Sequence, residues 1–257
     1  MTRKIVILGA GNVATHLTKA LIKEGFDVRQ IFSRTIESAR ELGVKTGVHF
    51  TNNLAELYKE ADIYIFALSD TAIEKLASMI DFNHDPLLLH TAGSVSIDVL
   101  KNSSKNYGVL YPLQTFSKSR ELDFKKVPLC VDANTKHNIK EVSQIAATLS
   151  DNTRIMGEDE RKKIHLAAVF ACNFTNYMYS QAEEILKQDN IDFNIIKPLI
   201  EETAAKVQDL SPAKAQTGPA IRNDRATMNK HKELLENFNE LKKLYTFISN
   251  NISKLKE

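Results

Sequence analysis

The stretch IVILGAGNVA, residues 5–14, decides the fold of this chain. A short apolar run of this kind predicts a buried β-strand, and a glycine turn and a helical pattern follow it directly. Gly9 permits a tight turn, Gly11 lets a bound group approach the backbone, and the small Ala14 allows the helix to pack close to the sheet. The stretch therefore predicts the first strand–turn–helix unit of a doubly wound α/β domain.

Short β-rich runs alternate with helical patterns as far as Met156, which predicts right-handed βαβ units around a parallel sheet. The predicted strands are Lys4–Leu8, Asp27–Phe32, Ile63–Ala67, Pro86–His90, Asn106–Leu110, Leu129–Asp132 and Arg154–Met156. The predicted helices are Ala14–Lys23, Ile36–Leu42, Leu54–Glu60, Ala72–Met79, Ile97–Leu100 and Lys136–Leu149. We interpret residues 1–157 as a Rossmann-type α/β domain.

After Gly157 the strand signals cease and helical patterns continue, so residues 158–257 are expected to form an all-α domain. The helix that starts at Glu158 is apolar nearly all round between Ile164 and Phe174, which predicts a buried central helix. A second apolar stripe near the C-terminus predicts a homodimer surface, and the alternative is that it packs back onto its own domain. Its members are Leu234, Leu235, Phe238, Leu241, Leu244, Tyr245, Ile248 and Ile252.

Composition favours a compact globular protein. Hydrophobic residues make up 43% and charged residues 26% of the chain, which is typical of soluble globular proteins. A net charge of +2 without a basic stripe argues against nucleic acid. No apolar stretch is long enough for a membrane helix, and the two cysteines, Cys130 and Cys172, lack metal-ligand spacing. We therefore expect no metal, no membrane and a reducing cytoplasm.

The glycine turn predicts a dinucleotide site, because the diphosphate of such a ligand lies at the positive end of the following helix. The second strand ends in Ser33, Arg34 and Thr35. An acidic residue there would hold the ribose hydroxyl of NAD, whereas a guanidinium can bind the 2′-phosphate of NADP. The sequence thus favours NADP(H). The alternatives are an ordinary glycine turn and a solvated Arg34.

Five motifs follow successive strands, and together they resemble the pyrroline-5-carboxylate reductase and 6-phosphogluconate dehydrogenase superfamily. These motifs are GAGNVA at 9–14, SRT at 33–35, ALSD at 67–70, HTAGS at 90–94 and YPLQTF at 111–116. More closely, the chain resembles a Rossmann-like family that has its own helical C-terminal domain. That family is recognisable by HLAAVFACNFTN at 165–176 and QTGPAIRND at 216–224.

The resemblance implies that the nicotinamide lies between the loop at 67–70 and the loop at 90–94. The cofactor-binding residues expected from the motifs are Gly9, Gly11, Asn12, Val13, Ser33, Arg34, Thr35, Ala67, Leu68, Ser69, His90 and Thr91. An NADP(H)-dependent oxidoreductase acting on a small carbonyl or imine compound in an interdomain cleft is the function we expect. A non-catalytic NADP(H)-binding sensor or regulatory protein is the alternative.

His165 is the expected proton donor, because an imidazole exchanges a proton near neutral pH. On ideal helical geometry Asn173 lies roughly 80° around the helix from it, so we expect Asn173 to orient the acceptor. Related dehydrogenases place a lysine near the position of His165. The alternative is that both residues are hydrogen-bonded core residues.

Polar residues further along the chain also suit a small polar ligand. They are Gln114, Thr115 and the turn at 216–219. Arg222 is a candidate clamp for a substrate carboxylate, and Asp224 is either its partner or the cap of the next helix.

Overall fold

The computed structural model describes residues 3–82 and 84–256. Contacts divide the chain into two compact units, the first ending at Asn173 and the second beginning at Phe174. The sheet ends before Gly157, as predicted, but the helix that follows still belongs by its contacts to the first unit. A domain boundary at Gly157 stays a prediction.

The first unit contains an eight-stranded sheet in the order β3-β2-β1-β4-β5-β6-β7-β8. The strands are β1 (Lys4–Leu8), β2 (Asp27–Phe32), β3 (His49–Thr51), β4 (Ile63–Phe66), β5 (Leu87–His90), β6 (Asn106–Pro112), β7 (Leu129–Ala133) and β8 (Thr153–Ile155). The chain runs outward from β1 in one direction and, after returning to β4, in the other. This order confirms the predicted doubly wound fold.

The helices of the first unit lie close to their predicted bounds. They are α1 (Asn12–Lys23), α2 (Ile36–Thr46), α3 (Asp70–Ala77), α4 (Lys136–Leu149) and α5 (Glu158–Ala168). Residues 97–100 form a 3₁₀ turn. The predicted helix 54–60 is reduced to a 3₁₀ turn at 54–56, and the Asn53 side chain accepts a hydrogen bond from the amide of Ala55.

Two features of the sheet differ from the prediction. Strand β3 was missed, because its three residues are too short to show an alternating pattern. Strand β7 runs antiparallel to β6, so the sheet is not wholly parallel. The connection at 113–128 contains only a 3₁₀ turn at 124–126 and no crossover helix. Parallel neighbours need such a crossover, whereas antiparallel neighbours do not.

The core lies on both faces of the sheet. In β1, Ile5 and Ile7 join the cluster under α1 and α4, whereas Val6 and Leu8 join the cluster under α3. All four are fully buried. Because both faces of the strand are covered, it reads as a continuous apolar run rather than an alternating one.

The second unit is helical, as predicted. Its helices are α6 (Thr175–Gln188), α7 (Lys197–Asp209), α8 (Pro212–Ala215), α9 (Arg225–Leu234) and α10 (Asn239–Ser253). Asp224 caps α9: its carboxylate accepts hydrogen bonds from the backbone amide and the hydroxyl of Thr227, at 3.1 and 2.7 Å. The capping interpretation of Asp224 is therefore confirmed, and Arg222 is exposed.

The expected burial of the helix after Gly157 is wrong for the single chain. Leu166 is 58% exposed and Phe170 is 62% exposed. The helix also changes its winding, because residues 169–174 form a π-helical segment between α5 and α6. Sequence periodicity reports that a face is apolar, but it does not report whether the same chain covers it.

Within the part of the chain that the structure describes, every helix is too short or too polar to cross a bilayer.

Candidate active site

A cavity of about 730 Å³ opens at the carboxyl ends of the central strands in the first unit. It lies where the order turns from β1 to β4, the place where doubly wound sheets bind their ligands. Its lining includes Gly9, Gly11, Asn12, Val13, Ser33, Arg34, Thr35, Ala67, Leu68, Ser69, Thr91 and His165, all predicted site residues. His90 and Asn173 are not in the lining.

The glycine turn brings β1 and β4 very close together. Gly9 has a φ of 123°, a conformation that L side chains rarely adopt, and a Cβ there would lie 2.1 Å from the carbonyl oxygen of Ala67. Gly11 is different, because a Cβ there would meet no atom within 4 Å. Helix α1 begins directly after Gly11 without a side-chain cap, so its first amide groups are available to an anion.

The end of β2 supplies hydroxyl groups and one cation to the cavity. Ser33, Arg34, Thr35 and Ser38 all line it, and the Thr35 hydroxyl donates to the Ser38 hydroxyl at 2.9 Å. Arg34 is exposed, so its guanidinium is accessible to a ligand. This donor set suits a phosphate monoester better than a ribose hydroxyl.

The loop that follows β6 is fastened to the helices beside the glycine turn. Asn12 donates to the carbonyl oxygen of Phe116 at 2.9 Å, and a ring nitrogen of His16 lies 2.9 Å from the carbonyl oxygen of Ser117. Lys118 reaches Glu41 of α2 at 3.1 Å. Lys118 also lines the cavity. Lys118 was not predicted as a site residue, because a single lysine in a loop belongs to no recognisable motif.

Helix α5 brings His165 to the cavity, where it meets Tyr111 of β6. The Tyr111 hydroxyl lies 2.9 Å from Nδ1 of His165, and the two rings stand edge to face with centroids 5.9 Å apart. Burial raises the pKa of Tyr111 to about 12, so the phenol keeps its proton at neutral pH. His165 is hydrogen-bonded but only half-buried, so it is not a core residue, as the alternative supposed. It lines the cavity, and its place at a ligand site stays a prediction. Tyr111 belongs to the YPLQTF motif, but no role was predicted for it.

Arg161, one turn before His165, is completely buried. It donates to the carbonyl oxygen of Val95 at 2.7 Å, and its guanidinium lies 3.9 Å from Asp132 of β7. Burial lowers the pKa of Arg161, whereas Asp132 and Glu158 oppose that shift. These contacts hold α5 against the loop after β5 and against β7. They thereby fix the start of the helix that carries His165.

The loops after β4 and β5 are joined across the cavity, since the Ser94 hydroxyl donates to Asp70. His90 lies beneath them and is fully buried. Its Nδ1 accepts from the amide of Ala92 at 3.2 Å. Burial, and then the nearby Arg161, lower the pKa of His90 to about 4, so it is neutral at pH 7. His90 therefore shapes the loop, whereas Thr91 lines the cavity.

Fold and site together define a Rossmann-type nucleotide-binding domain. Residues 4–93 match the family described as NADP oxidoreductase, coenzyme F420-dependent. Residues 127–252 match a domain of unknown function, DUF2520. A crystal structure from Bacteroides fragilis, named as a candidate NADP oxidoreductase, is 44% identical, covers 98% of each chain and superposes with a TM-score of 0.94. The chain belongs to this NAD(P)-binding oxidoreductase family, and the resemblance found in the sequence is confirmed.

Other solved structures share the fold at lower identity. An imine reductase from Myxococcus stipitatus in complex with NADP⁺ is 17% identical, covers 98% of this chain and 93% of its own, and has a TM-score of 0.66. A pyrroline-5-carboxylate reductase from Coxiella burnetii is 17% identical, covers 99% of each chain and has a TM-score of 0.57. At these identities the similarity shows the fold alone.

The curated relative is a glutamyl-tRNA reductase from Caldivirga maquilingensis, 24% identical over 115 residues. The match covers 40% of this chain and 28% of the length of that protein.

The close approach of Gly9 to Ala67 predicts an asymmetry between the two glycines. Gly9→Ala should lower the free energy of unfolding by about 2 kcal/mol or more, because it combines backbone strain with a steric clash. Gly11→Ala, the matched control, should cost no more than about 1 kcal/mol, since a Cβ there meets nothing. Urea unfolding of the two variants measures the difference. Equal losses would contradict the packing described for Gly9.

Proposed function

We propose that this protein is an NADP(H)-dependent oxidoreductase that reduces a small carbonyl or imine compound in the cavity of its first unit. The observation that carries the proposal is the convergence of three features on one cavity. These are the uncapped helix after Gly11, the cation Arg34 at the end of β2, and the ionisable His165. Such a combination of anion sites and a proton-exchanging group suits nucleotide-dependent reduction.

The residues present fit a dinucleotide. The amide groups at the start of α1 would hold its diphosphate, and the open space at Gly11 would admit it without a clash. The loops at 67–70 and 91–93 would enclose its nicotinamide ring. When bound, the cofactor supplies the hydride. The protein itself must orient the acceptor, exclude water and deliver a proton.

NADP(H) is proposed over NAD(H) because of the donors at the end of β2. Arg34 can form two parallel hydrogen bonds with a 2′-phosphate, and Ser33 and Thr35 can donate further ones. No acidic residue occupies the positions at 33–35, where a carboxylate would repel that phosphate.

His165 is proposed as the proton donor. An imidazolium at the cavity wall can pass a proton to the oxygen or nitrogen that develops negative charge as hydride arrives. Asn173 is exposed and does not line the cavity. Its predicted role, orientation of the acceptor, therefore has no support from the cavity and stays a prediction. The placement of the substrate in an interdomain cleft also stays a prediction.

We further propose a homodimer in the cytoplasm. The stripe predicted near the C-terminus lies largely within its own unit: Leu235 is buried, and Leu241, Leu244 and Ile252 line a pocket of about 360 Å³ there. Exposed apolar side chains at Leu166 and Phe170 offer a better surface for a second copy. Cys130 and Cys172 are both free thiols, which suits a reducing compartment.

Removal of the Arg34 guanidinium tests the cofactor preference. Wild-type protein should bind NADPH more tightly than NADH, and Arg34→Ala should weaken NADPH binding by about 1.5–3 kcal/mol while it leaves NADH binding nearly unchanged. Isothermal titration calorimetry measures both. Arg29→Ala, on β2 but outside the cavity lining, is the control. Equal wild-type affinities for the two cofactors would refute the preference.

Replacement of His165 tests catalysis. His165→Asn should keep its NADPH affinity and lose turnover by roughly 10²–10⁴-fold, the usual range for general acid–base catalysis. NADPH absorbance, followed against a panel of ketones, aldehydes and cyclic imines, gives the rate. His137→Asn, at an exposed position on α4, is the matched control. Normal turnover by a folded His165→Asn variant would exclude His165 as the donor. Cofactor binding without turnover of any compound would favour the sensor alternative.

The assembly state is tested by sedimentation velocity. A homodimer predicts twice the mass of the 28.9 kDa chain, and Leu166→Glu combined with Phe170→Glu should shift it to monomer. A concentration-independent monomer for the wild-type protein would overturn the dimer.

A further inference from the structure

Three residues from three separate elements meet at one point of the cavity wall. The Tyr111 hydroxyl contacts Nδ1 of His165 at 2.9 Å, and Gly93 lies directly against both rings. A Cβ built on Gly93 would lie 2.7 Å from Cζ of Tyr111 and 2.8 Å from Nδ1 of His165. All three residues line the cavity. The absence of a side chain at Gly93 therefore makes room for the contact between the other two.

We propose that Tyr111 is a positioning residue that keeps Nδ1 of His165 occupied, so that Nε2 is the ring nitrogen that exchanges a proton with the substrate. The proposal rests on the role proposed above for His165. It adds that Nε2 is the atom of His165 that exchanges the proton, and that Tyr111 and Gly93 determine this choice.

The proton balance follows from the two ring nitrogens. In the imidazolium, Nδ1–H donates to the Tyr111 oxygen and Nε2–H faces away from Tyr111. Transfer of the Nε2 proton to the reduced oxygen or nitrogen leaves a neutral ring that still donates from Nδ1. Solvent then returns a proton to Nε2. A hydroxyl can also donate to an unprotonated Nδ1, so Tyr111 can engage this nitrogen in every protonation state of the ring.

The phenol itself does not pass on its proton. Burial raises the pKa of Tyr111 to about 12, and electrostatic interactions with Cys130 and Asp70 act in the same direction. Arg161 on α5 opposes them. A tyrosinate is therefore strongly disfavoured at neutral pH, and a relay through Tyr111 would be slow.

Nitrogen-15 NMR of the full chain, labelled at its histidines, measures the Nδ1 resonance of His165 and needs no substrate. Tyr111→Phe removes only the hydroxyl. The chain offers a matched control, because Tyr245 contacts Nδ1 of His231 at the same 2.9 Å in the second unit. Tyr245→Phe therefore makes the same chemical change at a residue outside the cavity lining.

Tyr111→Phe should move the Nδ1 resonance of His165 to that of a ring without a partner, and Tyr245→Phe should leave it in place. An unchanged Nδ1 resonance in Tyr111→Phe would overturn the proposal. Gly93→Ala should change the same resonance, because the added methyl group separates the rings. Thermal melts establish that each variant is folded.

Turnover provides the second measurement. Tyr111→Phe should lower kcat by roughly 10–100-fold, as loss of a group that orients a reacting imidazole does, and leave KM for NADPH unchanged. It should also alter the pH profile of kcat, because the partner of the ionising ring is lost. Normal kcat in Tyr111→Phe, with low kcat in His165→Asn, would overturn the positioning role and leave the proposed function intact. If no compound is reduced, the NMR comparison alone decides.

Discussion

The contact between Gly9 and the carbonyl oxygen of Ala67 is the constraint on which the rest of the site depends. It places the end of β1 against the end of β4 at a distance that no side chain could share. Because α1 leaves from β1 and α3 leaves from β4, the same contact sets where the two helices start. The cavity exists because these helices lie on opposite faces of the sheet while their strands lie side by side.

A second constraint acts on the opposite wall of the cavity. Removing a guanidinium from water is unfavourable. The hydrogen bond to the Val95 carbonyl and the ion pair with Asp132 offset the desolvation of Arg161 only in part. Such a cation specifies geometry more than it adds stability. It joins α5 to the strands of the sheet, so His165 belongs to the compact first unit although it lies on a helix beyond the last strand. His165, the proposed proton donor, is thus held by contacts with the same sheet that carries the glycine turn.

Much of this architecture was predictable because it is local. The bounds of β1, β2 and α4 follow from apolar runs and turn residues that act within a few positions. The glycine turn and residues 33–35 were recognisable as binding segments because their residue types and spacing lie within a few positions of the chain. Their convergence on one cavity follows from the rule that parallel strands share a carboxyl edge.

The rest depended on contacts between distant segments. Tyr111 and Arg161 matter through partners far along the chain, which spacing does not reveal. Asn173 was placed by ideal helical geometry, but the π-helical segment at 169–174 changes the number of residues per turn and with it the face on which later residues lie. The exposure of Leu166 was missed for a different reason, because an apolar face has the same pattern whether its own chain or another covers it.

The reversal of β7 has a consequence for how this fold can diversify. Because β7 runs against β6, the segment between them leaves and re-enters the sheet at the same edge, beside the cavity. Two of its attachments to α1 use the carbonyl oxygens of residues 116 and 117, which any amino acid provides. Its exposed side chains, such as those of Gln114 and Arg120, are therefore free to change while its path is preserved, whereas Phe124 and Val127 lie in the core. It is a natural variable region, in which relatives with an identical sheet could acquire different substrate preferences.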